Sequence, residues 1–237
     1  MLLELFLRNR RRNRLSDDDL AALEAAVSEI RALSARTTVV HTGERVSQSI
    51  YLIEGLMCRY MDDRRGERQL VAVHVPGDFV DLHGYPLERL DHDVATLTTC
   101  RVAIVPHEAL NRLVATRPDL AKLLWFSTLL DAAMHREWVF RLGRLDALAR
   151  VSHFFCEIEA KMRAVGMSDG KQFQLAMTQN DLGEACGITP VHMNRMLREL
   201  KRRGLMEMRR GEVSILDGDG LAHLGEFDPG YLFIDRP

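Results

Sequence analysis

Asn194, Arg195 and Arg198 lie within five residues of one another in TQNDLGEACGITPVHMNRMLRELKRRGLM, residues 178–206, a spacing that puts them on one face of a helix. Arginine pairs bidentately with guanine and asparagine with adenine, so a face carrying both types can read base edges in a DNA major groove. Val191 shares that face. Met193, Met196, Leu197 and Leu200 follow the i, i+3, i+4, i+7 spacing of a buried stripe on the opposite side. Lys201, Arg202 and Arg203, at the far end, are suited to neutralising phosphate, a contact that positions a reader without specifying sequence. Residues 178–210 hold seven cations and four acids, a local balance of +3 in a chain whose net charge is −2. Any nucleic-acid partner must therefore meet a local basic surface.

The elements that would position these groups are legible around them. Thr178 caps a first helix and Asp181, three residues on, closes a capping box. Leu182 and Ala185 then share one side, and Gly187 supplies the turn. Thr189 and Pro190 restart the chain as N-cap and first helical residue, because proline's missing N–H and fixed φ cost nothing there. The pattern is a helix-turn-helix. The following MEMRRGEVSIL, residues 206–216, predicts a hairpin with Arg-Arg-Gly at its tip, a wing that would touch phosphate. The expected DNA-contacting set is Thr178, Gln179, Thr189, Pro190, Val191, His192, Asn194, Arg195, Arg198, Arg209 and Arg210, with double-stranded DNA as the partner.

The chain has 237 residues and 46% hydrophobic content, enough for one or two globular domains. The apolar run at residues 120–134 is broken by Lys122, Ser127, Thr128 and Asp131, short of the ~20 residues a spanning helix needs. No membrane segment is expected. The N-terminal MLLELFLRNRRRNR carries its charge after the apolar run, the wrong order for a secretory signal, so the expected location is cytoplasmic. The basic run at residues 8–14 reads as a solvated face. Cys58, Cys100, Cys156 and Cys186 form no C-x-x-C, which argues against a zinc ribbon, a local iron–sulfur cluster or a disulfide framework. Cys186 reads as a small core residue, with a redox role as the alternative.

Residues 15–33 predict a helix capped by Ser16, with Leu20, Leu23, Val27 and Ile30 on one face. Between residues 37 and 105, short β-branched runs alternate with glycine-bearing turns, the pattern of a compact barrel or jelly roll. A long helix is predicted over residues 118–143. Leu120, Leu123, Ser127, Leu130, Met134 and Trp138 approximate a coiled-coil seam on it, read as a homodimer interface. The same stripe packed on the chain's own barrel is the alternative. The expected fold is α+β: a jelly-roll-like β-roll domain with an N-terminal helix (1–117), a dimerisation helix (118–143) and a C-terminal winged helix-turn-helix domain (144–237).

This order of elements, together with HTGERVSQSIYLIEGLMCRY, VPGDFV and TQNDLGEACGITPVHMNRMLREL, resembles the Crp/Fnr family of bacterial transcription regulators. The resemblance implies a homodimer that binds palindromic operators, recruits or blocks RNA polymerase and receives an effector signal in its β-roll. Cyclic-nucleotide-binding members carry a Gly-Glu-Leu element and an Arg-Ser or Arg-Ala pair that grips ribose and phosphate. Here Leu82 stands for the Glu, and Leu90 with Asp91 for the pair. Arg89 is one residue off, and Asp91 would repel an anion. The implied effector pocket is Leu82, His83, Arg89, Leu90, Asp91, His92, Ser127 and Thr128, with cyclic AMP and cyclic GMP disfavoured as ligands. The N-terminal cysteines of oxygen-sensing members are missing, which disfavours an iron–sulfur cluster. In the recognition helix, Pro190, Val191, Asn194 and Arg195 stand where members carry Arg or Val, then Glu, then Ser or Gly, then a constant Arg; Arg195 is the residue most expected to contact DNA.

A second class of reading treats the β-roll as a cupin-like enzyme or a metal- or heme-binding sensor, with His74, His83 and His92 as imidazole ligands. Their nine-residue spacing matches no metal motif, the H-x-H plus downstream Glu of a cupin is absent, and a catalytic barrel has no use for a winged reader. No enzyme activity, metal site or bound cofactor is expected. Whether the β-roll senses an effector or serves only as a dimer scaffold is open.

Overall fold

The computed structural model describes residues 2–235. They form two compact units: one of residues up to Met61, Ala72–Ala132 and Asp235, the other of Asp62–Val71 and Ala133–Ile234. In the first, α1 (Asp17–Ala25) is capped by Ser16, whose Oγ accepts the Asp19 N–H at 3.0 Å, and it carries three acids in its first turn. β1 (Glu29–Leu33) follows directly. The single helix expected over residues 15–33 is therefore corrected. Leu20 and Leu23 are buried as the periodicity required, but Glu29 to Leu33 pair in register with Ile104 to Cys100, and Ile30 is exposed. A sheet ladder with a distant strand outweighs local helical period.

The remaining strands are β2 (Thr38–Val40), β3 (Gln48–Glu54), β4 (Met57–Asp62), β5 (Arg68–His74), β6 (Asp93–Thr96) and β7 (Cys100–Pro106), with the single-turn α2 (Gly84–Leu87) between β5 and β6. They form two sheets, ordered β1-β7-β3 and β2-β6-β4-β5. Val40, Met57 and Val94 of one sheet pack with Ile50, Leu52, Val102 and Ile104 of the other, so the core lies between the sheets. The N-terminal segment lies against this roll: Leu3, Phe6 and Leu7 are buried, and the Phe6 ring meets Phe79 edge-on at 5.5 Å. Arg10 is buried with them, so the basic run is not wholly the solvated face expected. α3 (His107–Thr116) leads to α4 (Pro118–Arg144), a 27-residue helix about 40 Å long.

In the second unit α5 (Ala147–Ala164), capped by Asp146, is buried on nearly every side. Glu157 accepts hydrogen bonds from Trp138 Nε1 at 2.8 Å and Tyr231 Oη at 2.6 Å. Arg141 is fully buried over the Trp138 ring and donates to the Ala185 carbonyl at 3.1 Å. β8 (Gln172–Gln174), α6 (Gln179–Cys186), α7 (Pro190–Arg202), β9 (Met206–Arg209) and β10 (Glu212–Ile215) complete a winged helix-turn-helix with sheet order β8-β10-β9, followed by α8 (Gly218–Leu224). No helix among the described residues is long and apolar enough to cross a membrane.

Candidate nucleic-acid interface and β-roll site

The reader is assembled by local chemistry. Thr178 and Asp181 make a reciprocal capping box: the Thr178 hydroxyl accepts the Asp181 N–H at 3.2 Å, and Asp181 Oδ2 accepts the Thr178 N–H at 2.7 Å. Gly187 ends α6 in the left-handed region at φ 62°. Thr189 Oγ1 accepts the His192 N–H at 3.2 Å, and Pro190 opens α7. Gly183 lets α6 lie against the turn backbone, because a Cβ there would lie 2.6 Å from the Ile188 carbonyl oxygen. Gly183→Ala should therefore cost about 2 kcal/mol of stability. Thermal denaturation checks this, and an unchanged midpoint would mean that the turn relaxes freely.

Met193 and Leu200 are fully buried, with Met196 and Leu197 half-buried beside them. On the other face Val191 is 72% exposed and Arg195 and Arg198 project into solvent. Thr178, Gln179, Thr189 and Pro190 are exposed at the helix starts, and His192 and Asn194 are half-buried. Asn194 Nδ2 donates to Gln179 Oε1 at 3.3 Å, joining the start of α6 to the reading face. Arg209 is exposed beside Glu207, and Arg210 takes φ 52° at the tip of the β9–β10 hairpin. Among the described residues Arg195, Arg198 and Arg210 have no acidic side-chain partner.

The cations at the far end of α7 have acidic partners within the unit. Arg202 pairs with both Glu199 oxygens at 2.7 Å, Arg203 with Glu199 at 2.8 Å and Lys201 with Glu207 at 2.8 Å. The two arginines hold the Glu199 carboxyl down to about 2, so it stays charged and competes for them. All three cations remain solvent-exposed in these pairs. Cys186, at the turn, is fully buried and its thiol is pushed up to about 11 by burial, the opposite of a reactive thiolate.

The seam expected on α4 is also corrected. Leu120, Leu123, Leu130 and Trp138 are buried within the chain itself, while Ser127 and Met134 are half-buried. The apolar residues left exposed lie on another face: Trp125 (66%), Leu129 (52%), Val139 (74%) and Phe140 (44%). From Trp125 through Leu129, Ala132 and Arg136 to Val139 the steps alternate four and three residues, the period of a helix pair, and Phe140 lies beside the stripe, four residues beyond Arg136. Sequence period detected an inward face and missed the outward one because the helix is apolar on both.

In the β-roll, the residues aligned with a nucleotide pocket are put to other uses. Leu82 and Leu90 are core residues. Asp91 is exposed and meets His92 Nδ1 at 2.8 Å, which lowers the Asp91 carboxyl. Arg89 is exposed, on a stretch bridged to Arg45. Thr128 donates its hydroxyl to the Trp125 carbonyl at 2.8 Å.

Sequence reasoning missed Arg59, on β4, which is 2% exposed. Its Nε donates to His74 Nε2 at 2.9 Å, Nη1 lies 3.5 Å from His83 Nδ1, and Nη2 forms a short ion pair with Asp131 of α4. The His83 and His92 rings lie 5.1 Å apart. Burial first, and the Arg59 charge second, lower His83 to about 3, so it is neutral; its Nε2 is buried without a hydrogen-bond partner. His74 Nδ1 faces Asp78 at 3.5 Å. Two of the three histidines, His74 and His83, meet the Arg59 guanidinium and His92 lies beside His83, and among the described residues no group of three or more His, Cys, Asp or Glu is arranged to hold a metal. The available signal was an arginine inside an otherwise apolar strand and an aspartate on an apolar helix, which needed each other.

Residues 149–224 match the Crp-like helix-turn-helix domain family and residues 30–117 the cyclic nucleotide-binding domain family. The chain is 27% identical over 210 residues to the transcriptional activator protein FnrA of Stutzerimonas stutzeri, covering 89% of this chain and 86% of that protein. It is 26% identical over 210 residues to the transcriptional activator protein Anr of Pseudomonas aeruginosa, with the same coverage of 89% and 86%. The fold is similar to that of FixK2 from Bradyrhizobium japonicum, with a TM-score of 0.74 at 20% identity over 83% of this chain and 96% of that one.

Proposed function

Because the chain belongs to the Crp/Fnr family of DNA-binding transcription regulators, we propose that it reads a two-fold symmetric operator as a homodimer through α7. The observation that carries this reading is the outward face of α7, where Val191, Asn194, Arg195 and Arg198 stand together and both arginines lack acidic partners. Thr178, Gln179, Thr189, Pro190 and His192 flank the groove, and Arg209 and Arg210 on the hairpin contact phosphate. Pairing two copies uses the exposed Trp125, Leu129, Val139 and Phe140 stripe of α4, which leaves the buried Leu120 side in the monomer core. The protein acts in the cytoplasm by contacting RNA polymerase at the operator and catalyses no reaction. Selection of bound fragments from genomic DNA tests this: enrichment of one inverted-repeat sequence supports it, and fragments without a shared sequence refute it.

We further propose that the β-roll of this chain does not take a cyclic nucleotide. A cyclic phosphate needs a cation in place of Leu90 and Asp91, and Arg59, the buried guanidinium, is already paired with Asp131. Asp91 is exposed, so its repulsion of an anion is screened by water, and the missing cation is the larger obstacle. Titration calorimetry with cyclic AMP and cyclic GMP should give no sub-millimolar binding, and neither should raise operator affinity. A clear isotherm with either would mean that another cation grips the phosphate.

A further inference from the structure

We infer that the Arg59–Asp131 ion pair does in this chain what an effector does in a ligand-gated β-roll, fastening α4 to the roll so that the operator is bound with no small molecule present. The inference rests on the DNA-binding reading above and adds how that reading is regulated.

Asp131 comes from α4, one of the elements that the family resemblance assigns to effector binding, and Arg59 of β4 touches His83 in the other. His83 and His92 belong to the segment containing the diverged nucleotide residues, and Asp131 lies one turn beyond Ser127 and Thr128 on α4. Between them Arg59 reaches out from β4 and spends its donors on His74, His83 and Asp131. The guanidinium is almost wholly buried, and the Asp131 side chain is 21% exposed. An anionic ligand could reach Arg59 only by displacing Asp131. A cationic ligand would have to displace Arg59 from inside the roll, and either exchange strands a charge in a poorly hydrated site. The pair thus supplies both charges of a ligand bridge from within the chain, 72 residues apart in sequence.

The pair need not be a large source of stability to do this. Removing one partner of a buried ion pair is costly, whereas replacing both by apolar groups of similar volume is tolerated. That asymmetry gives the test. Wild-type protein is unfolded in guanidinium chloride, dialysed extensively, refolded and titrated on its selected operator beside native protein. Asp131→Ala and the double variant Arg59→Met/Asp131→Leu are titrated in parallel.

Refolded and native wild type should bind with the same affinity. Asp131→Ala, which strands Arg59, should lose about tenfold or more in operator affinity, and the apolar double variant should recover most of it. Far-UV circular dichroism and sedimentation separate loss of fold from loss of fastening, since a folded, weakly binding Asp131→Ala supports the inference. It is overturned if refolded wild type no longer binds and a small-molecule extract of cells restores it, or if folded Asp131→Ala binds as wild type does. Native wild type with no sequence preference would overturn the DNA-binding reading itself, a result distinct from both.

Discussion

Leu129→Glu should leave the chain monomeric at micromolar concentration with its fold intact, where the wild type is expected to pair, whereas Leu130→Glu should damage the fold itself. The two residues are neighbours on α4 and differ in direction: Leu129 is 52% exposed and Leu130 is 5% exposed. A charge at Leu129 enters water in the monomer and is buried only when Trp125, Leu129, Val139 and Phe140 of two copies meet. Its effect on monomer stability is therefore small, within about 0.5 kcal/mol. At Leu130 a carboxylate is driven into an apolar interior without a partner, at a cost of about 3 kcal/mol or more. Sedimentation velocity and thermal denaturation on both variants separate the cases. If Leu130→Glu dissociates a dimer without lowering the melting midpoint, the buried stripe is the interface after all.

The second large effect is expected on the reading face. Arg195→Ala should cost about 1–3 kcal/mol on the preferred operator and flatten preference at one base pair, as expected when a base-edge contact is removed. Arg209→Ala should instead weaken all sequences alike and make the slope of log affinity against log salt shallower by about 1. Arg195 lies in α7 among exposed polar groups, while Arg209 lies in the wing beside Glu207. Competition gel shifts at several salt concentrations measure both. Unchanged specificity in Arg195→Ala would show that α7 presents a different face to DNA.

What was legible in the sequence is what is decided within a few residues. The Thr178 capping box, the Gly187 turn and the Thr189-Pro190 start each close within one helical turn, and each is found where the residue types demand it. The Arg210–Gly211 hairpin is equally local. Residues 29–33 were misread because their partners are the β7 residues 100–104, and no local pattern reports a ladder that distant. The α4 seam failed for another reason: with apolar residues on two faces, periodicity finds stripes and cannot say which one the chain buries itself. The Arg59–Asp131 pair was invisible because neither residue carries a motif, and only folding brings β4 to α4. The ion pairs of residues 201–203 with Glu199 and Glu207 were equally invisible, because counting charge does not say which acid meets which cation.

The central claim, that two copies read one symmetric site, is tested most directly by a fluorescence anisotropy titration. The selected operator, a duplex with one half-site scrambled and an unrelated duplex are compared at a fixed salt concentration near physiological. The expected result is two protomers per operator and an affinity about a thousandfold or more above that for unrelated DNA, with most of that preference lost when one half-site is scrambled. Equal affinity for all three duplexes, or one protomer bound at saturation with no loss on scrambling, would contradict it.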